Sequence, residues 1–176
     1  MDTQFGAGSE PDERRLLDEL VQAFNAHDVE RIVTLHTPDA VWEDPSLGAP
    51  IVGRDAIRTH LMAIFRAFPD FTFEDGSEIY HGDHGHAALH WRFSATMTGE
   101  FAAPHLAPTG KHASIAGMCV YGFDQGLIAR HQQYYDLVEL LEEIGLLPAP
   151  DSAPVKLAAG IQRASVLVSR SLRRAS

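Results

Sequence analysis

Apolar residues recur at helical spacing through the first third of the chain and at every second position through most of the remainder. Leu16, Leu17, Leu20, Val21 and Phe24 share one helical face, so the pattern predicts a first helix from Ser9 to about Asn25. Ser9 is its expected cap, with Pro11, Asp12 and Glu13 in the first turn, where proline is tolerated and negative charge suits the helix dipole. Asp28 is the expected cap of a short second helix over Val29–Leu35, ended by Thr37-Pro38-Asp39, since a proline pushes its predecessor out of the helical region. Ala40–Glu43 reads as a strand, Asp44–Gly48 as a loop and Ile51-Val52 as a brief strand. Ile57, Leu61, Ile64, Phe65 and Phe68 then predict a third helix over Asp55–Phe68.

From Pro69 the period changes to two, the mark of strands. Phe71–Tyr80 and Ala87–Thr98 form a predicted hairpin across the turn-rich residues 81–86, and Glu100–Gly110, with Pro104, Pro108 and Gly110, reads as a long loop. Lys111–Phe123 and Leu127–Tyr135 are the next strands, joined at Asp124-Gln125-Gly126, and a last helix over Leu137–Ile144 stops at Gly145 as a glycine C-cap does. Three helices, a meander of long strands and a closing helix make an α+β pattern. One curved antiparallel sheet wrapped over the N-terminal helices leaves a cone-shaped pocket between them. The expected division is a loose N-terminus over 1–8, one α+β domain over 9–148, and a Pro/Ala linker with a tail, helical or disordered, over 149–176.

Charge narrows the classes of partner. The chain has 176 residues and a formal net charge of −10, but the tail holds Lys156, Arg163, Arg170, Arg173 and Arg174 against Asp151 alone, leaving the body at −14. An acidic body repels phosphate backbones, so no nucleic acid is expected on it. In the tail, Ile161, Ser165, Val168 and Leu172 on one face and Arg163, Arg170 and Arg174 on another form a weak basic amphipathic pattern, which fits a contact with the acidic body or a second copy better than a membrane surface. The single Cys119 excludes an internal disulfide framework and fits a reducing compartment. The N-terminus has neither the basic start nor the apolar stretch of a secretory signal, and no apolar run approaches the roughly 20 residues of a membrane span. These features lead to an expectation of a cytoplasmic protein.

Asp136 stands where the last strand meets the last helix, beside Tyr134 and Tyr135. It suits a proton-handling carboxylate and, equally, the N-cap of the following helix. Alternation groups Asp136 with Tyr134, Gln132 and Arg130 on one side of its strand, and His131, Gln133 and Tyr135 on the other. Trp42 and Asp44 end the first strand, Trp42 as a pocket wall or as core packing, and Asp44 as a site acid or as an Asx-type turn before Pro45. His131 is a ligand contact or a structural strand histidine. Cys119, among apolar residues in mid-strand, is expected to be buried and inert. His81, His84, His86 and His90 lie in and after a Gly-Asp turn without a fixed constellation or carboxylate pair, so no metal is expected there.

Taken in order, Ala23-Phe24-Asn25-Ala26-His27-Asp28, Ala40-Val41-Trp42-Glu43-Asp44-Pro45, Val52-Gly53-Arg54-Asp55-Ala56-Ile57, Pro108-Thr109-Gly110, Gly126–His131, Tyr135-Asp136 and Ile144-Gly145-Leu146 resemble the SnoaL-like polyketide cyclases of the nuclear-transport-factor-two-like fold, over roughly residues 12–148. The resemblance implies an α+β cone, frequent dimerisation through the sheet, no cofactor, and an active-site acid at Asp136. Its members close the last ring of an aromatic polyketide by an intramolecular aldol reaction. In the ketosteroid isomerases of the same superfamily, the stretch Ala40–Pro45 is similar to the segment carrying the base, which places that role on Asp44. The isomerase tyrosine then falls on Leu20 and its protonated acid near Cys119, so both donors for an enolate oxygen are missing. No Arg-x-Asp pair of the epoxide-hydrolase members occurs on a strand.

The leading expectation is a cofactor-independent enzyme of the polyketide-cyclase type acting on an apolar polycyclic or β-dicarbonyl compound. Asp136, with Asp44 as the second candidate, carries the proton, and Trp42, His131, Tyr134, Gln132 and Cys119 surround the substrate. The alternatives are a non-catalytic domain that holds an apolar small molecule in the same cone, and an isomerase of the ketosteroid type.

Overall fold

The computed structural model describes residues 10–82, 85–101, 106–148 and 152. The expected cap at Ser9, the loose residues 1–8, Pro104, His84 and nearly all of the basic tail lie outside them. Four helices, α1 (Glu10–Asn25), α2 (Val29–Thr34), α3 (Arg54–Ala67) and α4 (Leu137–Glu143), accompany seven strands: β1 (His36–Glu43), β2 (Ile51–Val52), β3 (Thr72–Phe73), β4 (Glu78–His81), β5 (His86–Thr96), β6 (His112–Asp124) and β7 (Leu127–Tyr135). The strands form one curved, unclosed sheet in the order β2-β1-β7-β6-β5-β3, with β4 also paired to β5. The α+β cone is therefore the fold.

Three local differences from the sequence pattern have physical causes. Phe71–Tyr80 is two strands, β3 and β4, because Glu74–Ser77 interrupts the run and Gly76 takes a left-handed backbone at φ 100°. Helix α2 ends at Thr34, and Pro38 lies inside β1 rather than ending the helix. Pro38 falls where the β1–β7 register shifts between His36 and Val41, so its missing N–H breaks no ladder bond. The sheet is not wholly antiparallel: β1 runs parallel to β7, which brings Trp42 opposite His131.

Helices and sheet share one core. Leu17, Leu20 and Phe24 of α1, Ile32 and Val33 of α2 and Ile57 and Leu61 of α3 are buried against Leu89, Trp91, Ile115, Cys119 and Tyr121 of the sheet. Asp28 caps α2 by accepting from the Arg31 N–H at 2.9 Å. Asn25 takes the place of a strand neighbour, donating to the Phe73 carbonyl at 3.1 Å and accepting from its N–H at 2.7 Å. Gly117 is dictated by packing, since a Cβ there would lie 2.4 Å from the Trp91 ring. A second, smaller cluster of Met97, Ala113 and Ile144 ties α4 to the sheet, joined by Phe101, Leu106, Leu140 and Leu141.

Candidate active site

Between the inner face of the sheet and helices α1, α3 and α4 lies a cavity of about 380 Å³, a size usual for small-molecule sites. Its lining is mostly apolar and of two kinds. Phe24, Trp42, Phe71, Phe73, Trp91 and Phe93 are aromatic members of the main core, whereas Met97, Leu140, Leu141, Ile144 and Leu146 are aliphatic and belong to the α4 cluster. The polar contributors are Asp44, Ser46, His60, Gln133 and Tyr135.

Asp44 follows the end of β1, and its side chain is only 6 % exposed. One oxygen, Oδ1, accepts three hydrogen bonds: from the Ser46 N–H at 2.7 Å, the Ser46 hydroxyl at 2.6 Å and the Tyr135 hydroxyl at 2.8 Å. The Asx-type turn and the cavity acid are thus the same residue. The other oxygen, Oδ2, faces His60 Nε2 at 3.9 Å, beyond hydrogen-bond reach. Burial pushes the His60 imidazole below its ordinary value, partly opposed by the Asp44 charge. Burial first, and then the Asp44 carboxylate, raises the Tyr135 phenol, keeping its proton on the oxygen that donates to Asp44.

Strand parity decides which β7 side chains reach the cavity. Gln133 and Tyr135 line it, while Gln132 and Arg130 bond to Glu43 at 2.7 and 3.0 Å and Tyr134 is 54 % exposed. The expected contacts at Tyr134 and Gln132 therefore face away from it. Asp136 is exposed and caps α4, with its Oδ1 accepting from the N–H groups of Val138 at 2.9 Å and Glu139 at 3.1 Å. It is not among the cavity-lining residues.

His131 and Cys119 form the backing of the wall. The His131 ring stacks on Trp42 with centroids 3.8 Å apart. His36 Nδ1 donates to the Ile32 carbonyl at 2.8 Å, which leaves its Nε2 as the acceptor facing His131 Nδ1 at 3.4 Å. His131 Nε2 in turn faces Cys119 Sγ at 3.4 Å, and the Trp91 indole donates to the same sulfur at 3.1 Å. Burial holds both rings neutral, lowering His36 to about 4 and His131 well below the ordinary range, and it pushes the Cys119 thiol up to about 12. Among the described residues no group of three or more His, Cys, Asp and Glu side chains is arranged to hold a metal.

His60, Ser46, Gln133 and Tyr135 were not among the residues expected around the substrate. His60 carried a signal, falling between Ile57, Leu61 and Ile64 on the apolar face of α3. Tyr135 and Gln133 belonged to the alternate set on β7 that turned out to face inward.

The model of the SnoaL-like domain matches residues 17–131, a span holding Trp42, Asp44, His60 and His131. This chain belongs to the SnoaL-like family. AclR of Streptomyces galilaeus, a candidate hydroxylase, shares 26 % identity at a TM-score of 0.67, covering 93 % of this chain and 98 % of its own. A candidate polyketide cyclase of Xanthomonas campestris pv. campestris shares 18 % identity at a TM-score of 0.68, over 77 % of this chain and 98 % of that one. The epoxide hydrolase/cyclase-like enzyme SalBIII, linked to pyran-ring formation in the polyether salinomycin, shares 22 % at 0.62, over 74 % and 95 %. These last two likenesses concern the fold. The fold by itself does not fix a reaction.

Proposed function

We propose that this SnoaL-like protein is a cofactor-independent enzyme of the polyketide-cyclase type, in which Asp44 rather than Asp136 is the general acid and base. The observation that carries the reading is the asymmetry of the Asp44 carboxylate in an apolar cavity: Oδ1 is saturated by three donors, and among the described residues Oδ2 has none. A carboxylate pinned through one oxygen presents the other in a set direction, which general-base catalysis requires. Oδ2 removes a proton from a methylene flanked by carbonyls. The electron pair stays on the substrate as an enolate, whose carbon attacks a second carbonyl of the same molecule, and the proton returns from Oδ2 to the new alkoxide. The aromatic walls suit a flat conjugated substrate, with Trp42 held in place by His131 behind it.

Turnover of a panel of aryl polyketide esters, with ring closure followed by absorbance, tests this. Asp44→Asn is expected to lower kcat about a hundredfold to ten-thousandfold, while Asp136→Asn, which keeps the cap, stays within about twofold. The reverse order would return the role to Asp136. Binding of the same compounds without turnover in the wild type would favour a carrier, a reading supported by the apolar excess of the lining.

Homodimerisation through the outer face of the sheet is part of the same reading. Met118 and Tyr134 are cross-strand neighbours on β6 and β7, and both are exposed there. Sedimentation equilibrium of the wild type and of Tyr134→Lys checks it, with a dimer expected only in the former.

A further inference from the structure

By the resemblance to the isomerases, the enolate-oxygen donors would fall on Leu20, which is buried in the core, and near Cys119, whose sulfur accepts from Trp91 behind the cavity wall. An enolate formed beside Asp44 therefore requires another donor for its oxygen, since a developing charge in an apolar site is costly without one. Helix α3 brings one unassigned group to the cavity. His60 lines it, is 8 % exposed, and its Nε2 is buried with no hydrogen-bond partner among the described residues. Unpaired buried polar atoms are rare enough in folded proteins to call for an explanation.

We propose that His60 Nε2–H is the hydrogen-bond donor that receives the substrate's carbonyl oxygen as it becomes an enolate, opposite Asp44 Oδ2. The proposal rests on Asp44 as the base. Oδ2 and Nε2 stand 3.9 Å apart, close enough to serve one small unit and too far apart to bond each other. In an enolisable group the departing proton and the carbonyl oxygen sit on adjacent carbons, so the base takes one while the donor holds the other. Burial keeps the imidazole uncharged, so it polarises the oxygen as a neutral donor and carries no proton away. The edge-to-face contact of His60 with Trp42, centroids 5.7 Å apart, limits the tilt of the ring. Trp42 Nε1 is likewise buried without a hydrogen-bond partner among the described residues.

Binding of 2-naphthol, whose oxygen stands for the enolate oxygen, is compared with binding of naphthalene, which lacks it, by ligand fluorescence in the full chain. The wild type is expected to prefer 2-naphthol. His60→Phe is expected to weaken 2-naphthol about tenfold or more while leaving naphthalene unchanged, as loss of one hydrogen bond to a charged or polarised acceptor implies. His60→Gln, which restores an N–H, should recover part of the preference. In the unmodified protein the His60 Nε2 nitrogen resonance should shift on adding 2-naphthol and stay in place with naphthalene. No preference in the wild type, equal weakening of both ligands in His60→Phe, or an unmoved resonance would overturn the proposal. Loss of turnover in Asp44→Asn tests Asp44 as the base, whereas the ligand preference and resonance of His60 are read in the wild type and in the His60 variants, so the two readings fail separately.

Discussion

Two aspartates, Asp44 and Asp136, each end a strand, and each accepts backbone N–H bonds from residues just after it in the chain. Their surroundings separate them. Asp136 uses its donors to start α4 at the rim, in contact with solvent. Asp44 uses a turn for the same local purpose, but the parallel pairing of β1 with β7 and the packing of α3 carry its carboxylate inward, where Tyr135 and His60 meet it. The lesson is that an acid's local hydrogen bonding does not say whether it is a cap or a base. What decides is whether strands and helices remote in sequence close over its remaining oxygen.

Beyond the exchange of the two acids for asparagine, three further measurements sharpen this contrast between a built interior and a capped rim. The largest effect concerns pH. The unfolded chain protonates His36 near 6.5, while the native fold holds it near 4, so the native state binds fewer protons in between. Stability is fully present above about 6.5 and falls as pH drops toward 4, by about 3 kcal/mol from His36 alone; His131, lowered in the same direction, deepens the loss. Urea unfolding at pH 7.5 and at pH 4.5 measures it, and equal midpoints would contradict neutral burial of these rings.

Next in size is Gly117→Ala. The new Cβ would lie 2.4 Å from the Trp91 ring and 2.8 Å from the Tyr134 carbonyl, and the second of these is backbone. A cost of about 2 kcal/mol is expected for such overpacking, together with weakened ligand binding, because Trp91 forms part of the cavity wall. Thermal melts and ligand titration of the same variant test both. The smallest effect belongs to the rim: Asp136→Ala should cost about 1 kcal/mol and Asp136→Asn a few tenths at most. If instead the asparagine variant were as unstable as the alanine one, the role of Asp136 would depend on its charge rather than its cap.

The order of elements was legible in the sequence because it is local. Apolar spacing, Asp28 and Gly145 as helix signals, and the change of period at Pro69 predict helices and strands close to those observed. The ordered short motifs from Ala23 to Leu146 pointed to the SnoaL-like fold, in which the matched span places the chain. The break at Glu74–Ser77 and the inclusion of Pro38 in β1 depended on pairing partners, which a single strand's pattern does not contain.

The candidate site was legible only in part for the same reason. Asp44 and Trp42 were both candidates from the sequence, yet nothing in the run Ala40–Pro45 distinguishes a turn acid from a cavity acid. Alternation along β7 produced two sets of side chains, and the choice between them needed the helices that cover one face. His60 lies 16 residues from Asp44 in the chain and Tyr135 lies 91 away. Sequence alone determined the order and kind of most elements, though not all of their bounds, since those preferences act over a few residues. Tertiary structure decided which acid is enclosed and what stands opposite it, since burial and the distance between side chains exist only once remote segments pack.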